Sequence, residues 1–92
     1  MKTLGQWTGL KDKTGWKIYE GDVLRLSYKQ QQTESVVKFK NEEAAFCIWW
    51  NDMWVPIAST HFNELELLGN IFDRQDYIEK YWELWNEEAK DA

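Results

Sequence analysis

IYEGDVLRLSY, residues 18–28, contains the change of pattern on which the fold turns. Glycine at position 21 permits a backbone with φ above zero, and the flanking acids Glu20 and Asp22 can bond to nearby main-chain groups, so Glu20-Gly21-Asp22 reads as a tight turn. From Val23 to Tyr28, Leu24, Leu26 and Tyr28 alternate with Arg25 and Ser27, the period of a half-buried strand. A tight turn feeding an alternating strand places the start of a β-sheet here.

Downstream, Lys29-Gln30-Gln31-Gln32 reads as a hairpin tip, with a return strand from Glu34 to Lys40 that points Val37 and Phe39 to one face. Asn41-Glu42-Glu43 is a second polar break. Ala45 to Trp50 is apolar, rich in aromatic and β-branched residues and too short for a helix, and so a central strand. Asn51-Asp52 marks a turn. Trp54 to Ala58 follows as a strand whose Pro56 cannot donate a ladder hydrogen bond and therefore belongs at an edge or a bulge. Leu65 to Phe72 is the last strand, interrupted by Gly69. After Phe72 the period changes. Tyr77, Ile78, Tyr81, Trp82 and Trp85 form one stripe of an amphipathic helix over about residues 73–90, with Asp73 as N-cap and Asp76 in the first turn. Glu87 and Glu88 oppose the helix dipole, and fraying is expected there.

Upstream, residues 5–22 are dense in glycine and charge, with Trp7, Leu10, Trp16 and Ile18 as anchors. The expectation is a folded loop with a turn at Lys13-Thr14-Gly15. Three stretches now stand out: Gln6-Trp7-Thr8-Gly9-Leu10-Lys11-Asp12-Lys13-Thr14-Gly15, then Ile18-Tyr19-Glu20-Gly21-Asp22-Val23, and Leu67-Leu68-Gly69-Asn70-Ile71-Phe72. Together they resemble the YopX family of small phage and prophage proteins, in order and spacing, over about residues 6–28 and 65–78. The sequence departs from that pattern in Trp16, where a small or polar residue is usual, and in its Trp-rich helix. The resemblance implies a small SH3-like β-barrel of about five strands, a phage or prophage origin and no established activity. It transfers no catalytic residues. The expected architecture is mainly β, one domain over residues 1–92, with a barrel over about 5–72 and the C-terminal helix after it.

Ninety-two residues suit one core. A chain of this size buries only roughly 60 to 65 % of its unfolded surface, so seven Trp, four Tyr and four Phe supply area that a small core needs. The same rings, left exposed, are binding hot spots. Cys47 is the sole cysteine, which excludes an internal disulfide and the sulfur-rich zinc patterns. No apolar run of signal-peptide or membrane-span length is found, and the expected setting is the host cytoplasm.

The formal net charge of −5 opposes sequence-independent attraction to polyphosphates. Its distribution is uneven. Asp73, Asp76, Glu79, Glu83, Glu87, Glu88 and Asp91 outnumber Arg74, Lys80 and Lys90 in the C-terminal segment, whereas Lys2, Lys11, Lys13 and Lys17 face only Asp12 near the start.

For chemistry, Glu20 and Asp22 are the nearest approach to paired carboxylates, but they sit in the expected turn. His61 lacks a second His or Cys at metal-ligand spacing. Cys47 lies among apolar neighbours, where a thiol is a small buried hydrophobe. No catalytic residue, cofactor or metal is assigned, and the chain is read as a noncatalytic accessory protein. Its leading role is protein interaction, with a partner protein or with itself. Two surfaces are candidates: the helix through Tyr81, Trp82 and Trp85, and the loop that interleaves Trp7 and Trp16 with Lys11, Lys13 and Lys17. The alternative is a nucleic-acid-binding regulator, with bases stacked on those rings and phosphates held by those lysines. Self-association or a bound partner through Trp82 and Trp85 is expected. A C2 dimer is its commonest form, but neighbouring acidic helices repel, which turns the helix toward the basic loop of another copy.

Overall fold

The alternating strand at residues 23–28 becomes the middle of a pairing network. In the computed structural model, which describes residues 6–59, 62 and 64–86, β3 (Asp22–Tyr28) is flanked on both sides by antiparallel partners. One is β4 (Gln31–Lys40), joined through the two-residue turn Lys29-Gln30; the other is β7 (Glu64–Asn70). Val23, Leu24 and Leu26 are fully buried, as a strand covered on both faces requires. β5 (Ala45–Trp50) pairs with β4 and with β6 (Met53–Pro56). Asn51 and Asp52, at φ 54 and 61, form the two-residue turn whose twist matches antiparallel strands. The sheet order is β6-β5-β4-β3-β7. Pro56 ends the edge strand β6, where its missing N–H breaks no inner ladder, and a 3-10 turn spans Ile57–Ser59.

Two expectations are corrected here. The stretch before Gly21 is not a loop but a second sheet, the hairpin of β1 (Trp7–Lys11) and β2 (Lys17–Tyr19). Its glycines mark defects within a hairpin: Gly9 at φ 87 lies where the register slips, and Gly15 at φ 95 lies in the turn. Thr8 repairs the ladder beside the slip, its Oγ1 donating to the Ile18 carbonyl at 2.8 Å and accepting from Leu10 N at 3.1 Å. A closed SH3-like barrel does not form either. β6 and β7 stay at opposite ends of an open five-stranded sheet, and the β1–β2 hairpin is a separate two-stranded sheet.

The five-stranded sheet is covered on both faces. On one, Leu10 and Ile18 of the hairpin pack with Leu24, Leu26, Val37, Ile48 and Ile57. On the other, Tyr81 of helix α1 (Gln75–Trp85) packs with Val23, Val36 and Ile71. The alternation of strand side chains puts Val23 and Leu24 into different cores. The helix is shorter than expected, eleven residues, and begins at Gln75. Asp73 is not its cap because its N–H donates to the Asn70 carbonyl at 3.0 Å, while Asn70 Oδ1 accepts from Phe72 N at 2.8 Å. This turn reverses the chain before a helix can start, and Arg74 stands extended at the N-cap with no side-chain cap bond. The expected fraying at Glu87 and Glu88 lies outside the described residues. No helix among the described residues is long and apolar enough to cross a membrane.

The hairpin turn is fastened to the β7 edge. Lys13 N donates to the Leu65 carbonyl at 2.8 Å, and Leu67 N donates to Asp12 Oδ2 at 3.0 Å. The other oxygen of Asp12 accepts from Thr14 N, Thr14 Oγ1 and Trp16 N at 2.9, 2.7 and 3.0 Å. Burial pushes this carboxyl up, but the bonds from Leu67, Thr14 and Trp16 outweigh it and hold the pKa at about 2, below the ordinary 3.8. Removing the acceptor leaves several donors unpaired, so Asp12→Ala is expected to cost about 2 to 3 kcal/mol in urea unfolding at neutral pH. Because the folded pKa is depressed, the ionic contribution is complete above the unfolded value and lost as pH falls through the folded one. The stability gap between wild type and Asp12→Asn is therefore expected to hold down to about pH 4 and to narrow toward about pH 2. A gap independent of pH would show that the charge contributes nothing.

Candidate functional site

The paired carboxylates Glu20 and Asp22 are engaged in hydrogen bonds that hold the fold. Glu20 Oε2 accepts from Phe39 N at 2.9 Å, and Asp22 accepts from Tyr19 N at 2.7 Å and from Asn70 Nδ2 at 2.9 Å. Burial pushes the Asp22 carboxyl up; its bonds to Tyr19 and Asn70 pull it down, and nearby Asp73 adds to the rise. Between the two acids, Gly21 at φ 93 donates its N–H to the Val37 carbonyl at 2.8 Å and accepts from Ile71 N at 2.9 Å. Among the described residues, three or more His, Cys, Asp or Glu side chains nowhere gather as a metal group. His61 lies outside the described residues.

The hairpin carries the first candidate surface. Trp7 is 46 % exposed and Trp16 is 68 % exposed, and Lys17 Nζ lies 4.7 Å from the centre of the Trp7 ring. Lys11 is paired across the ladder with Lys17, so both ammonium groups rise on one face. Lys13 is different: Glu64 and Glu66 hold its ammonium at 3.5 and 3.9 Å and offset its charge. Beside Lys17 a cleft of about 290 Å³ opens between Trp16 and Tyr19 on one wall and Gly69, Asn70 and Asp73 on the other. The sequence reading missed Tyr19 as part of this surface. Its signal was the two-residue spacing from Lys17, which becomes meaningful only once 17–19 is known to be a strand.

The helix presents the second surface, smaller than expected. Tyr81 is only 6 % exposed, with its hydroxyl 3.4 Å from Glu34 Oε1, and burial with Glu34 nearby pushes its pKa upward. Trp85 stands edge-on to Phe72 at 5.6 Å, and its carbonyl accepts from the Lys38 ammonium. Tyr81 and Trp85 thus belong to the packing under the helix, which a three-turn helix needs for its own attachment. Trp82 alone of the three is exposed, at 52 %. It lines a surface depression of about 570 Å³ with Ile78, Glu79, Lys80 and Glu83. Ile78 and Glu79 were legible as its neighbours four and three residues back along the helix.

The remaining tryptophans are structural. Trp49 and Trp54 meet edge-on at 5.5 Å across β5 and β6, and Trp50 stands 5.3 Å from both Tyr28 and Phe62. Cys47 is likewise buried, and its thiol is pushed up to about 11 by burial and by Glu43. A thiol held protonated and covered should not react with iodoacetamide in the native protein at about pH 8 and should react on unfolding in urea. Rapid native alkylation would mark Cys47 as accessible chemistry.

The hairpin and the cleft draw on the stretches that carry the sequence motifs, residues 6–15, 18–23 and 67–72. No curated protein and no solved structure matches the chain significantly. The family model described as YopX protein matches residues 1–79, which takes in every strand and the first residues of the helix, and the chain therefore belongs to the YopX family.

Proposed function

We propose that this protein is a noncatalytic accessory protein of phage type that works in the host cytoplasm as a protein-interaction module, with the β1–β2 hairpin as its binding face. The observation that carries this reading is the exposure of two indoles, Trp7 and Trp16, in a hairpin of a domain whose other large rings mostly pack inward. Ring-sized apolar surface is rarely left in water without a use, and tryptophan is the commonest anchor of an interface. Lys11 and Lys17 beside those rings favour a partner segment that is acidic and apolar. The free, buried Cys47 suits a reducing compartment.

Nucleic acid is the second reading, since lysine beside indole also suits a stacked base and its phosphate. The offset charge of Lys13 and the net charge of −5 disfavour it. Affinity capture from phage-infected or lysogenic host cells, with and without nuclease, separates the two. Capture of a protein is expected to survive nuclease and to fall at least about tenfold in a Trp7→Ala, Trp16→Ala, Lys17→Ala variant, while Trp82→Ala leaves it unchanged. Capture lost to nuclease, with duplex or single-stranded DNA bound directly in a steeply salt-dependent way, would favour the second reading. Capture indifferent to all three hairpin substitutions would remove the hairpin as the binding face.

A further inference from the structure

The cleft beside the hairpin holds negative charge that the rest of the fold leaves unanswered. Two carboxylates line it, Asp22 and Asp73, together with the rings of Trp16 and Tyr19. Asp22 is bonded only to neutral donors, Tyr19 N and Asn70 Nδ2, and among the described residues neither carboxylate pairs with a cation. The cations nearest in sequence are engaged elsewhere. Lys17 Nζ lies over the Trp7 ring, and the Arg74 guanidinium lies over the Tyr77 ring at 4.1 Å while donating to both oxygens of Asp76 at 3.1 and 2.7 Å. Burial pushes the Asp22 carboxyl up and Asp73 adds to the rise, so a cation bound here would relieve a repulsion. The rings are equally unclaimed: among the described residues, neither Trp16 nor Tyr19 meets another ring or a cation.

We infer that this cleft takes the guanidinium of an arginine side chain supplied by a partner protein, stacked on the Trp16 indole with its N–H fork turned to Asp73 and its charge facing Asp22. The inference rests on the reading of the hairpin as a binding face and adds one residue to it: within the acidic, apolar segment that Lys11 and Lys17 favour, an arginine enters the cleft. Charge fixes the sign of the guest, because an anion here would meet two carboxylates. A phosphate is opposed on the same ground, which sets the cleft apart from a nucleic-acid site. Shape chooses arginine over lysine. A planar guanidinium stacks on an indole face while its fork meets a carboxylate, whereas an ammonium is a compact, strongly hydrated point charge. The chain already uses this combination once, at Arg74 between the Tyr77 ring and Asp76. Size agrees: about 290 Å³ lies just under the roughly 300 to 1,000 Å³ of pockets for whole small molecules and suits a single side chain.

Titration of the full chain with the Nα-acetyl amide of arginine, followed by the N–H signals in NMR, reads the outcome. The Trp16 indole N–H, the Asn70 side-chain amide and the Asp73 main-chain amide are expected to shift together, with a dissociation constant on the order of 1 to 20 mM for so small a contact. The corresponding amides of citrulline, alike in shape but neutral, and of lysine are expected to bind at least about fivefold more weakly. Asp73→Asn and, separately, Trp16→Ala are each expected to weaken arginine binding at least about fivefold. Dispersion of the remaining signals shows that a variant is folded, and one that is not is replaced by Asp73→Ser or Trp16→Leu. No saturable shift up to about 100 mM, equal binding of citrulline and arginine, or an Asp73→Asn chain that binds like wild type would overturn the inference. So would shifts of the same signals by adenosine monophosphate in place of arginine. In capture from host cells, Asp73→Asn is expected to lower recovery of the partner at least about threefold. Capture lost with Trp7→Ala and Lys17→Ala but untouched by Asp73→Asn would sink the cleft and leave the hairpin reading standing; capture lost with Asp73→Asn alone would remove the hairpin reading and keep the cleft.

Discussion

At the junction of β2 and β3, three consecutive residues bond to three separate parts of the chain. Glu20 reaches β4 at Phe39, Gly21 reaches β4 again at Val37 and the end of β7 at Ile71, and Asp22 ties Tyr19 to Asn70. Only glycine suits the middle position. Its φ of 93 is strained for any side chain, and a Cβ there would come within 3.0 Å of the Phe72 ring. Both cores descend from this junction, because it sets where β3 enters the sheet and so which of its side chains face the hairpin and which face the helix.

The hairpin depends on a second polar anchor. A two-stranded ribbon is marginal alone in water, and this one buries only Ile18 fully. Asp12 compensates by joining the ribbon turn to the β7 edge with a carboxylate whose bonds outweigh its desolvation. The same bond covers part of an edge that would otherwise present unpaired main chain. With its inner side committed to the core and its turn committed to β7, the ribbon shows solvent its rings and lysines.

The sequence was most legible where period and packing agree. The alternation in Val23 to Tyr28, the apolar run Ala45 to Trp50 and the stripe Tyr77 to Trp85 each became the expected element, because burial of one face is a property that period alone encodes. It was least legible where a side chain replaces a regular feature. Thr8 stands in for a ladder bond, so β1 reads as loop, and Asn70 turns the chain before Asp73 can cap the helix. The surface had the same limit. Lys13 looks equal to Lys11 and Lys17 until β7 brings Glu64 and Glu66 beside it, and Tyr81, Trp82 and Trp85 look alike until the helix docks. Charge and aromatic content were visible; the partner across space that decides their use was not.

The bond from Leu67 N to Asp12 also orders assembly in time. It spans 55 residues, whereas β3 to β6 are linked by short turns and can pair as soon as each is made. The N-terminal ribbon leaves the ribosome first, yet the edge that receives it does not exist until residue 67 has been synthesised and β7 has docked on β3. Until then Leu24, Leu26 and Val37 lack their cover, so the growing chain carries an open apolar face while residues 38–67 are being made.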